Sequence, residues 1–223
     1  MITVKNLKGV MAMMPAFTTA DGSSPSAKET VNTTELERAV DQIIRDGVDV
    51  VTTMGSFGEC HTLLWNEKKK LIEATIAAAR KRVPIFIGCT SLNTRETMEQ
   101  VEFAQQAGAD GVLCGVPFYF PSTVDNAVQF YLDLADAFPK LGIAIYHNPQ
   151  LHRITPGESR LRNQEYPYGT ARATQILLSR GDKTGFVLHT GHGADQSVAR
   201  SESRRRDRRA STHHGVSYEY ILH

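Results

Sequence analysis

Between residues 10 and 148 the chain repeats one pattern: a short, almost wholly apolar run, a turn, a longer segment of helical period, and another turn. Few folds suit such a chain. An apolar run without polar alternation needs cover on both faces, and helices with one apolar stripe supply that cover when they lie against a parallel sheet. The runs are Val10 to Phe17, Asp49 to Gly55, Ile85 to Thr90, Gly111 to Pro117 and Gly142 to Asn148. After the first, they begin near residues 49, 85, 111 and 143, in steps of 36, 26 and 32 residues. Dividing a barrel of about 250 residues by eight gives roughly 31. The expected fold is α/β, an incomplete TIM (β/α)8 barrel of about five βα units. A doubly wound open sheet is the competing arrangement, but its Gly-x-Gly-x-x-Gly fingerprint is missing after the first run.

The helices carry their own boundaries. Thr34 and Glu37 form a candidate capping box ahead of the stripe Leu36, Ala39, Val40, Ile43 and Ile44, which Gly47 ends. Asn93 with Glu96 opens a helix that Gly108 closes, Ser122 with Asp125 opens one that runs to about Phe138, and a fourth spans about Asn66 to Arg82. Gly47-Val48-Asp49-Val50-Val51 and Gly108-Ala109-Asp110-Gly111-Val112 echo each other 61 residues apart, each at a helix-to-strand turn.

Charge divides the chain differently. Residues 1–152 hold 13 basic and 17 acidic side chains, and residues 153–223 hold 12 and 7. The first part uses 8 Lys and 5 Arg, the second 1 Lys and 11 Arg, with text such as Ser201 to Arg209 in place of strand and helix. We therefore divide the chain into a partial barrel, residues 1–154, and an arginine-rich tail, residues 155–223, expected to be disordered or the product of a reading-frame shift near residue 155. The whole-chain net charge of +1 gives no large field for nucleic acid or an acidic membrane.

Cys60, Cys89 and Cys114 are an odd count with no Cys-x-x-Cys pair, so neither a disulfide framework nor a zinc site is indicated, and a reducing, cytoplasmic setting is expected. Val10 to Phe17 could be the core of a signal peptide, but Pro15 interrupts it and no clear cleavage site follows. No apolar stretch approaches the roughly 18 residues of a membrane span.

In a parallel barrel the working groups come from the C-terminal ends of strands and the loops after them. Two ends stand out. Gly55-Ser56-Phe57-Gly58-Glu59-Cys60 offers two glycines, exposed N–H groups and a hydroxyl, a plausible seat for a small carboxylate or else an ordinary glycine turn. Tyr146-His147-Asn148-Pro149 brings a phenol to the barrel axis or one residue from it.

With the Pro117-Phe118-Tyr119 end of the fourth run, these segments resemble the class I pyruvate aldolases of the dihydrodipicolinate synthase and N-acetylneuraminate lyase family, over about residues 5 to 155. Gly-Ser-Phe-Gly-Glu-Cys with Leu64-Trp65, and Tyr-His-Asn-Pro, look most like the hydratase-aldolases of aromatic degradation, such as trans-o-hydroxybenzylidenepyruvate hydratase-aldolase. The resemblance implies a lyase that needs no metal and no cofactor. A lysine amine of lowered pKa condenses with the ketone of pyruvate, and the imine becomes the electron sink for bond making or breaking beside it. Pyruvate and an aldehyde are the implied small-molecule partners, and family members assemble as homo-oligomers.

By the same resemblance Tyr146 is the catalytic proton shuttle, Gly55, Ser56, Phe57 and Asn148 belong to the substrate site, and Tyr119 matches a tyrosine lent across a subunit contact. Phe57 departs from the biosynthetic synthases, which have a second hydroxyl there; a phenyl ring cannot relay protons. With Trp65, Phe118 and Phe120 it fits an aromatic aldehyde better, although Trp65 and Phe120 have the alternative of plain packing. Arg153 lies too far beyond Tyr146 for the synthases' carboxylate arginine.

The imine lysine is the part that does not fit. It should end the sixth strand, near Thr174 to Leu178, where no lysine stands. Lys183, the tail's only lysine, lies in a glycine-flanked turn, and Lys68 to Lys70 belong to a helix face. Nucleic-acid or lipid binding by the arginine cluster, and metal binding by His189, His192, His213 and His214, are alternatives to a solvated extension, which needs fewest assumptions. The expected function is a truncated Schiff-base aldolase without an intact enzyme site. The alternative is a non-catalytic binding or assembly protein.

Overall fold

The computed structural model describes residues 7–148, 151 and 152 and, through their backbone, residues 154, 155, 186–189 and 220–222. Along the chain run β1 (Gly9–Met13), α1 (Thr33–Arg45), β2 (Val50–Thr53), α2 (Trp65–Ala79), β3 (Ile85–Gly88), α3 (Thr94–Ala107), β4 (Gly111–Cys114), β5 (Ser122–Thr123), α4 (Val124–Ala137), β6 (Gly142–His147), β7 (Ile154–Thr155), β8 (Phe186–His189) and β9 (Tyr220–Leu222). Seven strands make one sheet in the order β8-β6-β4-β3-β2-β1-β9, and β5 pairs with β7 apart from it. All neighbours in the main sheet are parallel except β9, which runs antiparallel to β1. The five apolar runs are thus five parallel strands of a half-barrel, each shorter than its run because the remaining residues turn into the loops.

Packing partners, not burial, follow the two-residue strand period. β2, β3, β4 and β6 are buried along their whole length, so both faces are covered. Met11, Met13, Val50, Phe86, Leu113, Ala144 and Tyr146 pack together on the inner side, and Val51, Ile85, Ile87, Val112, Ile143 and Ile145 pack outward with the helices. Small residues make room for the largest inner ring. A Cβ on Gly111 would stand 2.4 Å from Phe86 Cε1, and one on Gly142 would stand 3.1 Å from Phe86 Cζ.

The glycine and aspartate echo is a structural clip. Gly47 (φ 93°) and Gly108 (φ 100°) take the left-handed conformation just beyond α1 and α3. Two residues on, the Asp49 carboxylate accepts the Val10 amide at 2.8 Å and the Asp110 carboxylate accepts the Ile85 amide at 3.0 Å. Each aspartate ties the start of its strand to the start of the neighbour before it.

Some boundaries differ from the sequence expectation. Asn32, not Thr34, caps α1, accepting the Glu35 amide at 3.1 Å; asparagine is as good a cap as threonine, and starting there adds residues to the helix. Thr123, not Ser122, caps α4, accepting the Asn126 amide at 3.2 Å; both residues lie in β5, opposite Thr155 and Ile154. α2 starts at Trp65, where Glu67 reaches back to the Leu64 amide at 2.8 Å. Asn93 and Gly108 bound α3 as the sequence indicates. The edge of β1, which the sequence pattern alone leaves without a neighbour, is paired with β9, and β8 lies along β6.

Candidate active site

The loop after β2 is bent by its own residues. Met54 (φ 58°) and Glu59 (φ 51°) are left-handed without being glycine, a conformation that costs roughly 1–2 kcal/mol per residue and clusters at functional sites. Between them a Cβ on Gly55 would meet the Met13 Cε at 2.3 Å, and one on Gly58 would meet the Met54 backbone nitrogen at 2.7 Å and the Met14 carbonyl oxygen at 3.0 Å. Gly58 is required by this close approach to backbone, whereas at Gly55 the flexible end of Met13 would have to move. The Glu59 amide then donates to the Ser56 carbonyl at 3.1 Å, closing the turn.

This turn carries Ser56 to the other side of the half-barrel. Ser56 Oγ and Tyr146 Oη are hydrogen-bonded at 2.7 Å. β2 and β6 are separated by β3 and β4, three steps of about 4.8 Å or some 14 Å along a flat sheet. A curled sheet with both side chains turned inward closes that gap. Tyr146 is buried, and its inward direction follows from its place in the cluster with Met11, Leu113 and Ala144.

The remaining candidate residues spread out. Phe57 is 43% exposed. The Asn148 amide donates to His152 Nδ1 at 3.0 Å. Tyr119 is 71% exposed and meets Phe120 edge-on at 4.8 Å. Both line an open groove of about 400 Å³ with Leu92, Val116, Pro117 and Phe130, and neither Ser56 nor Tyr146 lines it. Tyr119 is therefore not brought to the Ser56–Tyr146 pair within this protomer. Trp65 packs edge-on against Phe103 at 5.5 Å under Lys69, on the helical side of the sheet.

Sequence reasoning missed His152. The residue is buried, and its ring meets Tyr146 edge-on at 5.3 Å, Phe118 at 6.0 Å and His147 at 6.2 Å. Burial, with His147 adding to it, lowers its pKa to about 3. The available signal was a second histidine five residues beyond His147, just past the turn that ends β6. Cys89 is also buried, and burial with the neighbouring Cys114 holds its thiol well above the usual range, which makes it a poor nucleophile. Among the described residues no cluster of three or more His, Cys, Asp or Glu side chains could hold a metal. No helix among them is long and apolar enough to cross a membrane. Arg153, Thr174 to Leu178, Lys183, the arginine cluster and the side chains of the tail histidines lie outside the described residues.

The comparisons with known proteins identify the family and the fold. The dihydrodipicolinate synthetase family model matches residues 13–156. Trans-O-hydroxybenzylidenepyruvate hydratase-aldolase of Pseudomonas aeruginosa is 41% identical over 153 residues, 69% of this chain and 46% of that relative. The enzyme of the same name from Sphingobium xenophagum is 43% identical over 149 residues, 67% of this chain and 45% of its own. The chain spans less than half the length of these curated relatives. The structure of PhdJ bound to substrate intermediate superposes with a TM-score of 0.66 at 34% identity, covering 67% of this chain and 46% of PhdJ. A 4-hydroxy-tetrahydrodipicolinate synthase from Methylacidiphilum fumariolicum SolV shares the fold, with a TM-score of 0.70 at 20% identity over 84% of this chain and 55% of that one. By its half-barrel and by this match over most of its described length, the chain belongs to the dihydrodipicolinate synthetase family.

Proposed function

We propose that residues 7–148 carry the carboxylate loop and the phenol of a class I, Schiff-base pyruvate aldolase of the hydratase-aldolase type, acting on aromatic adducts of pyruvate. The observation that carries this reading is the 2.7 Å hydrogen bond between Ser56 and Tyr146, made across two intervening strands. In this reading Gly55, Ser56 and Phe57 receive the pyruvate carboxylate through backbone N–H groups and the serine hydroxyl, which a tight glycine turn presents without reorganisation. Tyr146, within hydrogen-bond reach, moves protons between the imine intermediates and the aldehyde oxygen. Phe57 breaks the hydroxyl relay of the biosynthetic synthases and, half exposed at the mouth, offers a ring face to an aromatic aldehyde. Asn148 holds the turn after β6, and Tyr119 serves a neighbouring subunit.

The imine lysine is the open element. β8 occupies the place next to β6 where the sixth barrel strand belongs, and its sequence is Phe186-Val187-Leu188-His189. We infer that this strand does not supply the amine, and that residues 7–148 retain pyruvate recognition without imine chemistry. This favours the second reading, a binding or assembly protein that joins intact homologues through the exposed Tyr119 and Phe120 face.

Incubation with pyruvate and borohydride followed by intact mass measurement separates the readings. No covalent adduct, together with saturation-transfer signals from pyruvate that disappear in Ser56→Ala, is the expected result. An adduct on Lys183 would overturn the inference about the amine, and pyruvate signals that survive Ser56→Ala would overturn the carboxylate loop. Translating the other two reading frames beyond residue 155 tests the tail: one should encode a Val/Ile-rich strand ending in lysine roughly 20 residues on.

A further inference from the structure

The turn after β6 returns to the barrel mouth a histidine that the proposed chemistry leaves unused. The Asn148 carbonyl accepts the amides of Leu151 at 3.0 Å and His152 at 2.7 Å, and the Asn148 amide donates to His152 Nδ1 at 3.0 Å. Backbone and ring are therefore tied to the same residue. With Nδ1 an acceptor, the neutral imidazole carries its proton on Nε2. That nitrogen is wholly buried and has no hydrogen-bond partner among the described residues.

The ring is seated as well as tied. A Cβ on Gly115 would stand 2.3 Å from His152 Nε2 and 2.5 Å from Cε1, so the imidazole fills the space that any side chain at 115 would need. The Gly115 amide is itself fixed, donating to Thr90 Oγ1 at 2.9 Å. Against this seated ring stands Tyr146, edge-on at 84°, with Phe118 behind at 78°. If the space wanted only filling, a phenylalanine would fill it without a buried N–H that no described residue meets. The histidine instead uses its acceptor to lock a ring beside the phenol.

We propose that His152 is a positioning residue for Tyr146: tied to Asn148 and seated on Gly115, its ring keeps the tyrosine in the rotamer whose hydroxyl meets Ser56. The inference rests on the reading of Ser56 and Tyr146 as one working pair. Leaving that rotamer requires the two edge-on rings to move together. Because burial lowers its pKa to about 3, the imidazole stays neutral in ordinary buffers and keeps the Nδ1 lone pair on which the tie depends.

The test labels the ζ carbon of the seven tyrosines with ¹³C in the full chain and assigns Tyr146 by its loss in Tyr146→Phe. Ser56→Ala gives the reference position of a phenol without its partner. His152→Gln removes the ring, and Gly115→Ala displaces it while leaving the histidine in place. Both are expected to move the Tyr146 resonance at least about half of the way to the Ser56→Ala position, with the other tyrosines unmoved. A Tyr146 resonance that stays put in either folded variant overturns the proposal, even if that variant melts lower, because lost stability alone is a packing role. Imidazole ¹⁵N shifts of the unaltered chain need no variant: a proton on Nδ1 of His152 would also overturn it. If Ser56→Ala itself leaves the resonance unmoved, the failure lies with the Ser56–Tyr146 pair, a result read from a different protein than the His152 variants.

Discussion

The hydrogen bond across the mouth makes a quantitative claim that a double-mutant cycle can check. Ser56→Ala leaves the Tyr146 hydroxyl without its partner in a side chain that is only 6% exposed, and Tyr146→Phe leaves the Ser56 hydroxyl alone. A buried group left unpaired costs about 1–3 kcal/mol. The pair is partly buried, so each single variant should lose about 1 kcal/mol, the low end of that range. The double variant removes both hydroxyls and leaves nothing to orphan. It should therefore be nearly neutral rather than lose about 2 kcal/mol, a coupling of roughly 2 kcal/mol. Urea unfolding followed by far-ultraviolet circular dichroism and by tyrosine fluorescence gives the four stabilities, provided the two probes coincide. Additivity to within about 0.3–0.5 kcal/mol would mean that the hydroxyls do not meet in solution. The curled sheet that brings β2 and β6 together would then be wrong at its mouth, whatever the strand order.

Further predictions concern the frame around that pair. Asp110→Ala should cost about 1.5–3 kcal/mol, as removal of a charged acceptor does, and more than Asp49→Ala, because the Asp110 clip to Ile85 is part-buried and the Asp49 clip to Val10 is exposed; equal losses in urea would count against the clip. Gly111→Ala puts a methyl group 2.4 Å from the fully buried Phe86 ring and should cost about 1–3 kcal/mol by overpacking; an unchanged unfolding midpoint would refute the tight inner layer. His152 gives a pH signature. Its folded pKa, about 3, lies below the ordinary 6.5, so between those values the unfolded chain holds the extra proton, and stability falls as the pH drops, by up to about 1.4 kcal/mol per unit. Stabilities measured from pH 7 to pH 4 should show this slope and lose it in His152→Gln; a slope unaffected by that substitution would place the titration elsewhere.

Much of the fold was written in local pattern. The five apolar runs are the strands because parallel strands covered on both faces leave a continuous apolar signature, and α3 began and ended where Asn93 and Gly108 said it would. Caps moved by a residue or two at Asn32 and Thr123, since neighbouring asparagine, serine and threonine compete on nearly equal terms. The Gly55–Gly58 turn and Tyr146 were legible as candidate groups at strand ends. Their contact was not, because it depends on curvature that no window of sequence contains. His152 was illegible for the same reason: its meaning comes from Gly115, which lies 37 residues earlier and contributes an absence of side chain.

The repeat at Gly47 and Gly108 shows how sequence far from the mouth still fixes it. Strand side chains alternate faces with a period of two, so a slip of one residue between β4 and β6 would turn Tyr146 out among the helices and bring His147 in. Asp110 guards against that slip from both sides. Its carboxylate accepts the Ile85 amide at the start of β3, its backbone carbonyl accepts the Gly142 amide at the start of β6, and its amide donates to the Ile85 carbonyl. One residue at the bottom of the half-barrel thus joins β3, β4 and β6 at a single level. From there the strands rise in register, Gly111 opposite Gly142 and Cys114 opposite Ile145. A substitution at Asp110 should accordingly disturb the Tyr146 environment at the opposite end of the strand before it unfolds the chain, and the ζ-carbon resonance of Tyr146 in Asp110→Asn is where that disturbance would be read. An unmoved resonance alongside lowered stability would show that the backbone ladder alone holds the register, and that the clip strengthens the sheet without aiming the phenol.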